Sequence, residues 1–196
     1  MSLYNPNDSR DNCGFGLIAH THGEASHELV TTAIHGLDRM QHRGGIAADG
    51  TTGDGCGLLL QKPDSFLRSV AKQELSIDLT DRYGIGAVML SKDSGLAKVA
   101  RETLNAELES EGLSDIHWRA VPIDSACLGP IALESLPDLF HVFVNAEGVG
   151  EVELDAKLFV ARRRTEIKLA SDDSFYIPSL SAKVLSYKGL MMPVDL

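Results

Sequence analysis

Hydrophobic and polar positions along this chain change period several times, and each change marks an element. In "SHELVTTAIHGLDRMQHRGG", Leu29, Val30, Ala33, Ile34, Leu37 and Met40 recur every three or four residues, the stripe of an amphipathic helix. Ser26 supplies an N-cap, basic residues gather in the last turn, and Gly44-Gly45 supplies the stop. The run "SGLAKVARETLNAELESEG" predicts a second helix, with Leu96, Val99, Ala100, Leu104 and Leu108 on its apolar face and Gly112 at its end. Residues 154–169, "LDAKLFVARRRTEIKL", predict a third, and Pro63-Asp64 starts a short one. Between them, "FGLIAH", "LLLQ", "YGIGAVML", "HWRAVPI" and "FHVFVNA" are short apolar runs bounded by turn residues, which predict strands, the first of them buried. "FYIPSLSA" followed by "KVLSYKG" predicts a hairpin. Adjacent strand pairs with glycine-rich turns predict an α+β fold rather than a parallel βαβ array.

Length and charge narrow the function classes. At 196 residues the chain fits one domain that can bury a core without disulfides or metals. Its formal charge of −10 disfavours phosphate backbones and anionic membranes. The one basic cluster, Arg162 to Arg164, is splayed around a helix axis, so neither nucleic acid nor a membrane is expected as a partner. No apolar run is long enough to span a bilayer, and the polar "MSLYNPNDSRDN" lacks the apolar core of a signal peptide. Three cysteines far apart, with no CxxC pair, fit a reducing compartment, so a soluble cytoplasmic protein is expected.

The chemistry concentrates in two places. Cys13 follows a short polar stretch and precedes Gly14 and Gly16, whose missing side chains would let a substrate approach closely. A cysteine at the start of a strand also serves as a small buried hydrophobe. If residues 1–12 were removed, Cys13 would carry both a thiol and a free α-amine, whose ordinary pKa of about 7.7 to 8.0 suits it to accept the thiol proton. Downstream, His42 and Arg43 close the first helix. They serve either as cations at the negative end of its dipole or, for Arg43, as a fork turned back onto the loop beside Cys13. The stretch Gly45 to Gly57, "GIAADGTTGDGCG", predicts an irregular loop bordering a pocket, with Cys56 buried behind it; it has neither a P-loop lysine nor EF-hand spacing. His20 and His22 are too few for a zinc site, and no metal is expected.

With those residues in hand, the chain resembles the glutaminase segment of the glutamate synthase large subunit. "DNCGFGLIAH", "RMQHRGGIAADGTTGDGCGLLLQKPDSF", "LFVARRRTE" and "FYIPSLSAKVLSYKGLMMP" carry the resemblance, densely over residues 11–68 and 158–193. It implies an N-terminal-nucleophile hydrolase fold, a four-layer αββα sandwich incomplete in this chain, with residues 1–12 as a leader and 13–196 as the amidotransferase part. It implies Cys13 as nucleophile, Gly14, Gly16, Arg43 and Gly44 as pocket support, and L-glutamine as substrate. For a full-length enzyme it further implies FMN and an iron–sulfur cluster, a synthase domain in the same chain, and a reductase small subunit; none of these groups is expected in the present segment. Class-II amidotransferases use an Asn-Gly pair as oxyanion hole, and this sequence contains no Asn-Gly dipeptide. The expectation is therefore a truncated glutaminase piece, inactive alone. Another class-II amidotransferase fragment, or a non-catalytic binding protein on the same scaffold, remain the alternatives.

Overall fold

The computed structural model describes residues 14–196. In chain order they form α1 (His27–Asp38), β1 (Cys56–Gln61), α2 (Asp64–Val70), β2 (Tyr83–Leu90), α3 (Ser94–Ser110), β3 (Asp115–Ala120), α4 (Pro130–Glu134), β4 (Asp138–Asn145), α5 (Glu151–Lys168), β5 (Tyr176–Ser181) and β6 (Val184–Gly189). The longest apolar strand, β2, becomes the centre of a four-stranded sheet of order β3-β4-β2-β5, and β1 pairs with β6 in a second, two-stranded sheet. Every pairing is antiparallel, as the α+β expectation requires.

Period-two alternation sorts β2 onto two cores. Val88 and Leu90, with Val142 and Val144 of β4, face α3 and α5 and pack on Leu104, Leu108, Leu154 and Leu158. Tyr83, Ile85 and Ala87, with Phe143, face the other way onto Leu67 of α2 and Leu185 of β6. The glycines of "YGIG" permit close approach on the first of these faces, by the helix layer at Gly84 and by side chains of the neighbouring strands at Gly86. A Cβ on Gly84 would lie 2.6 Å from Leu158 Cδ1, and one on Gly86 2.6 Å from Val142 Cγ1. The N-terminal part is covered more thinly: α1 touches β1 and the turn Pro193–Asp195, and none of its residues is fully buried.

Four sequence expectations are corrected. "FGLIAH" is not a buried strand: residues 14–20 pair with no described strand, and Phe15 and Leu17 are 91% and 89% exposed, because β1 pairs only with β6 and nothing among the described residues covers the run. The first helix stops at Asp38, not at Gly44-Gly45, and a separate 3-10 turn holds Gln41–Arg43, with Gln41 Nε2 donating to Asp38 Oδ1 at 2.5 Å. On α3 the buried stripe is Ala100, Leu104, Glu107 and Leu108. Leu96 and Val99 are about half exposed, because the helix is rotated toward α5. Glu107 is tolerated at that seam because Lys168 and Arg164 of α5 pair with it. Finally, β5 and β6 are not a hairpin. They belong to different sheets, and the chain crosses between them at a corner where Asp155 of α5 accepts from Ser181 Oγ and Ala182 N, both at 2.8 Å. There Ser186 N donates to the Ser179 hydroxyl rather than to a ladder carbonyl. The pattern also missed α4, a single turn opened by Pro130.

Candidate functional site

Cys13 lies outside the described residues, so the site is built from what surrounds its chain neighbour. Gly14 sits against Arg43: a Cβ there would lie 3.4 Å from Arg43 Cγ and 3.5 Å from Met40 Sδ. The structure thus brings together Gly14, Arg43 and Gly44, three of the residues expected to support a pocket. Gly16 is not part of that contact, since a Cβ there would meet nothing within 4 Å.

From Gly44 the chain enters a loop that is ordered by its own backbone. Ile46 and Gly53 form an antiparallel bridge, Ala47 N donates to Thr52 O at 2.8 Å, and Asp54 N donates to Gly45 O at 3.1 Å. The reversal is made at Gly50, whose φ of +75° lies in the left-handed region that favours glycine. Asp54 folds its carboxylate over the backbone of Gly44 and Gly45, where a Cβ on Gly44 would lie 3.1 Å from Oδ1. Gly53 lets the C-terminal segment close down, since a Cβ there would lie 2.5 Å from Met191 O.

These contacts enclose a cavity of about 260 Å³. Its walls come from Gln41 and His42 on one side of Arg43, Gly44 and Gly45 on the other, Asp54 across from them, and Met192-Pro193 as a lid edge. The volume suits a molecule of amino-acid size. The lining offers backbone groups, one carboxylate and one imidazole, the mixed polar and apolar surface expected of a small-molecule site. The expectation that the glycine loop borders a pocket therefore holds. Cys56 is half-buried behind the loop rather than fully buried; burial first, then Asp195 and Asp54, push its thiol pKa up. Cys127 is exposed on the β3–β4 connection.

Two polar clusters escaped the sequence reading. Asp49 accepts hydrogen bonds from Thr51 N, Thr52 N, Thr52 Oγ1 and Ile131 N, and these, led by the Thr52 hydroxyl, hold its carboxyl well below the usual range. Between the sheets, His141 Nε2 meets Tyr187 Oη at 2.7 Å, while Arg119 forms a two-pronged pair with Glu74 at 2.6 and 2.7 Å. Burial, and then Arg119, lower the His141 pKa to about 4; burial raises Tyr187 to about 12. A signal was available for His141 and Tyr187, polar residues whose i±2 neighbours include Leu139, Phe143 and Leu185, but not for Arg119, which alternates with the polar Asp115 and His117.

Among the described residues no group of three or more His, Cys, Asp or Glu is placed to hold a metal ion, and no helix is long and apolar enough to cross a membrane. His20 and His22 stack edge-to-face at 5.7 Å, and His20 Nδ1 accepts from Glu24 N instead of facing outward as a ligand.

Among known proteins, the family of class-II glutamine amidotransferases matches residues 13–196, a match that begins at Cys13. The NADPH glutamate synthase large chain of Bacillus subtilis is 36% identical over 196 residues, covering 98% of this chain and 13% of that protein. The NADH glutamate synthase of Saccharomyces cerevisiae is 31% identical over 98% of this chain and 10% of its own length. Ferredoxin-dependent glutamate synthase 2 of Synechocystis is 36% identical over 96% of this chain and 12% of its own. The chain thus spans 10 to 13% of the length of these relatives.

Proposed function

This chain belongs to the class-II glutamine amidotransferases, and on that premise we propose that it is the glutaminase part of a glutamate synthase. Cys13 is the nucleophile, exposed by removal of residues 1–12. Its thiol loses a proton to its own α-amine and its sulfur bonds to the side-chain amide carbon of L-glutamine. The tetrahedral intermediate collapses by breaking the C–N bond; the amine-held proton goes to the departing nitrogen, leaving ammonia and a glutamyl thioester. Water then adds to the thioester carbon, giving glutamate and restoring the thiol.

The observation that carries this reading is the packing of Gly14, next in the chain to Cys13, onto Arg43, whose chain neighbours His42 and Gly44 line the 260 Å³ cavity. Arg43 suits this place because its planar fork can organise carbonyl or carboxylate oxygens, while Gly44 and Gly45 keep the wall free of side chains. The order of packing, α3 and α5, then the four-stranded sheet, then β1–β6, then α1, supports an αββα sandwich. In a longer chain like those of the relatives, a synthase domain would use the ammonia to aminate 2-oxoglutarate reductively, with FMN and an iron–sulfur cluster held elsewhere and a reductase subunit as electron source. Free thiols at Cys56 and Cys127 support a reducing, cytoplasmic setting.

The 196-residue sequence has no Asn-Gly pair to donate to the oxyanion, a contribution worth about 10² to 10³ in rate per donor. The chain by itself is therefore expected to release ammonia from glutamine at a small fraction of an intact amidotransferase's rate. Steady-state ammonia release, with intact mass and N-terminal sequencing to show whether Cys13 has become the first residue, is the test. Full turnover by a chain still carrying residues 1–12 would overturn the assignment of the α-amine as base.

A further inference from the structure

The glycine loop is fastened on its far side to an element that the glutaminase reading does not use. Asp49 Oδ1 accepts from Thr51 N at 3.1 Å and Thr52 N at 2.8 Å, and Oδ2 accepts from Thr52 Oγ1 at 2.5 Å and from Ile131 N of α4 at 3.1 Å. Thr52, only 4% exposed, completes the link: its hydroxyl donates to Asp49 and accepts from Ala132 N at 3.3 Å. Gly129 makes the approach possible, since a Cβ there would lie 2.3 Å from Thr52 Oγ1 and 2.6 Å from Thr52 N. The joined residues are about 80 positions apart in sequence, and hydrogen bonds link them.

The geometry points to Asp49 and Thr52 as positioning residues: they clamp the Gly44–Asp54 wall of the cavity to the start of α4, and so set the shape that the substrate meets. Thr52 lies next to Gly53, which forms the Ile46 bridge and carries Met191 on its Cα, and Asp54 follows over Gly44-Gly45. A shift at the clamp therefore passes through two residues of covalent backbone to the cavity floor. Asp49 accepts from three backbone N–H groups and one hydroxyl, two on each oxygen, so asparagine is a poor replacement: whichever way its amide is turned, its NH2 faces at least one backbone N–H. Valine at position 52 keeps the shape of threonine but neither hydrogen bond, whereas serine keeps both. The clamp concerns the same cavity as the proposed glutaminase site and rests on that reading only for what fills the cavity.

Amide hydrogen exchange on the whole 196-residue chain separates the two. In Thr52→Val and Asp49→Asn the amides of Ala47, Thr51, Thr52 and Asp54 should exchange about tenfold faster than in the parent, with Thr52→Ser close to the parent and the β2–β4 ladder unchanged in all. Unchanged loop exchange in Thr52→Val and Asp49→Asn would overturn the clamp, and so would an equal loss across the β2–β4 ladder, which would mean global destabilisation. Titration with L-glutamine then tests what the wall is for. Affinity lowered about fivefold or more in Thr52→Val and restored in Thr52→Ser supports the positioning role; equal affinity in a chain whose loop has loosened overturns it. A parent chain that fails to bind glutamine refutes the glutaminase reading instead, and the exchange measurement still decides the clamp.

Discussion

Two regions of this molecule are held together by different physics. The four-stranded sheet with α3 and α5 is a close-packed apolar layer: Leu104, Leu108, Leu154, Leu158, Val142 and Val144 are fully shielded from water. The region that carries the cavity is almost the opposite. Its helix α1 buries no residue completely, its loop folds around glycines and is braced by its own Ile46–Gly53 bridge, and its attachments include the Asp49 clamp and the C-terminal turn. Apolar burial is non-directional and tolerates small shifts, whereas hydrogen bonds and glycine contacts fix positions to fractions of an ångström. The scaffold supplies stability, and the site is placed on it by directional contacts.

The comparison breaks most readily in the core. Leu158→Ala removes a fully buried side chain that packs directly over Gly84 and should lower unfolding free energy by about 3 kcal/mol in urea denaturation. Leu37→Ala on the half-buried face of α1 should cost about 1 kcal/mol or less, and equal losses at the two positions would mean that both regions share one core.

The seam between the sheets gives a pH test of similar size. His141 is 1% exposed and neutral in the folded chain, with its pKa lowered from 6.5 to about 4. Above pH 6.5 both states are neutral there and its contribution is fully present. As pH falls from 6.5 toward 4 the unfolded chain takes up the proton first, so stability declines by about 3 kcal/mol across that window and levels off below it for this group. Glu74 and Asp115, whose folded carboxyls are held below their ordinary values, add their losses at lower pH. In His141→Phe the decline between pH 6.5 and 4 should flatten; an unchanged slope would assign it elsewhere.

Gly53→Ala comes next. Its Cβ would meet the Met191 carbonyl at 2.5 Å, so the segment Leu190–Asp195 should lift away, at a cost of about 1 to 2 kcal/mol, without loss of the β2–β4 ladder. Faster exchange confined to that segment and the loop would show that the cavity's edge is set locally; no change would remove Met192-Pro193 from the cavity wall. The smallest effect is expected at Lys98→Ala, whose exposed pair with Glu102 should shift stability by less than about 0.5 kcal/mol.

Elements with strong periodicity are legible in the amino-acid sequence. β2 coincides with its apolar run, whereas β3 and β4 each begin two residues before theirs and end earlier; α2 and α3 start at the expected residues, and the glycine loop reverses where its composition requires. The third helix begins three residues earlier than its pattern, at Glu151, because Glu151, the exposed Val152 and Glu153 lie outside the buried stripe that starts at Leu154. Of the site, Arg43, Gly44 and Gly14 stand out from sequence, and the structure brings them together beside a cavity; Cys13 itself lies outside the described residues. The Asp49 clamp was invisible because its partner residues lie about 80 positions away and α4 is one turn long, too short for a period to register.

The amino-acid sequence by itself determined most of the helices and strands, the α+β class and the family, because period, turn chemistry and motif spacing act over a few residues at a time. Tertiary structure decided which strand joins which sheet, which face of α3 is buried, and what the glycine loop leans on. Those outcomes depend on competition between distant partners: the run after β5 resembles the second strand of a hairpin until Asp155, on a helix more than twenty residues earlier, captures the corner and sends β6 to β1. A one-dimensional pattern records that a surface is apolar or polar, and only the folded chain shows what meets it.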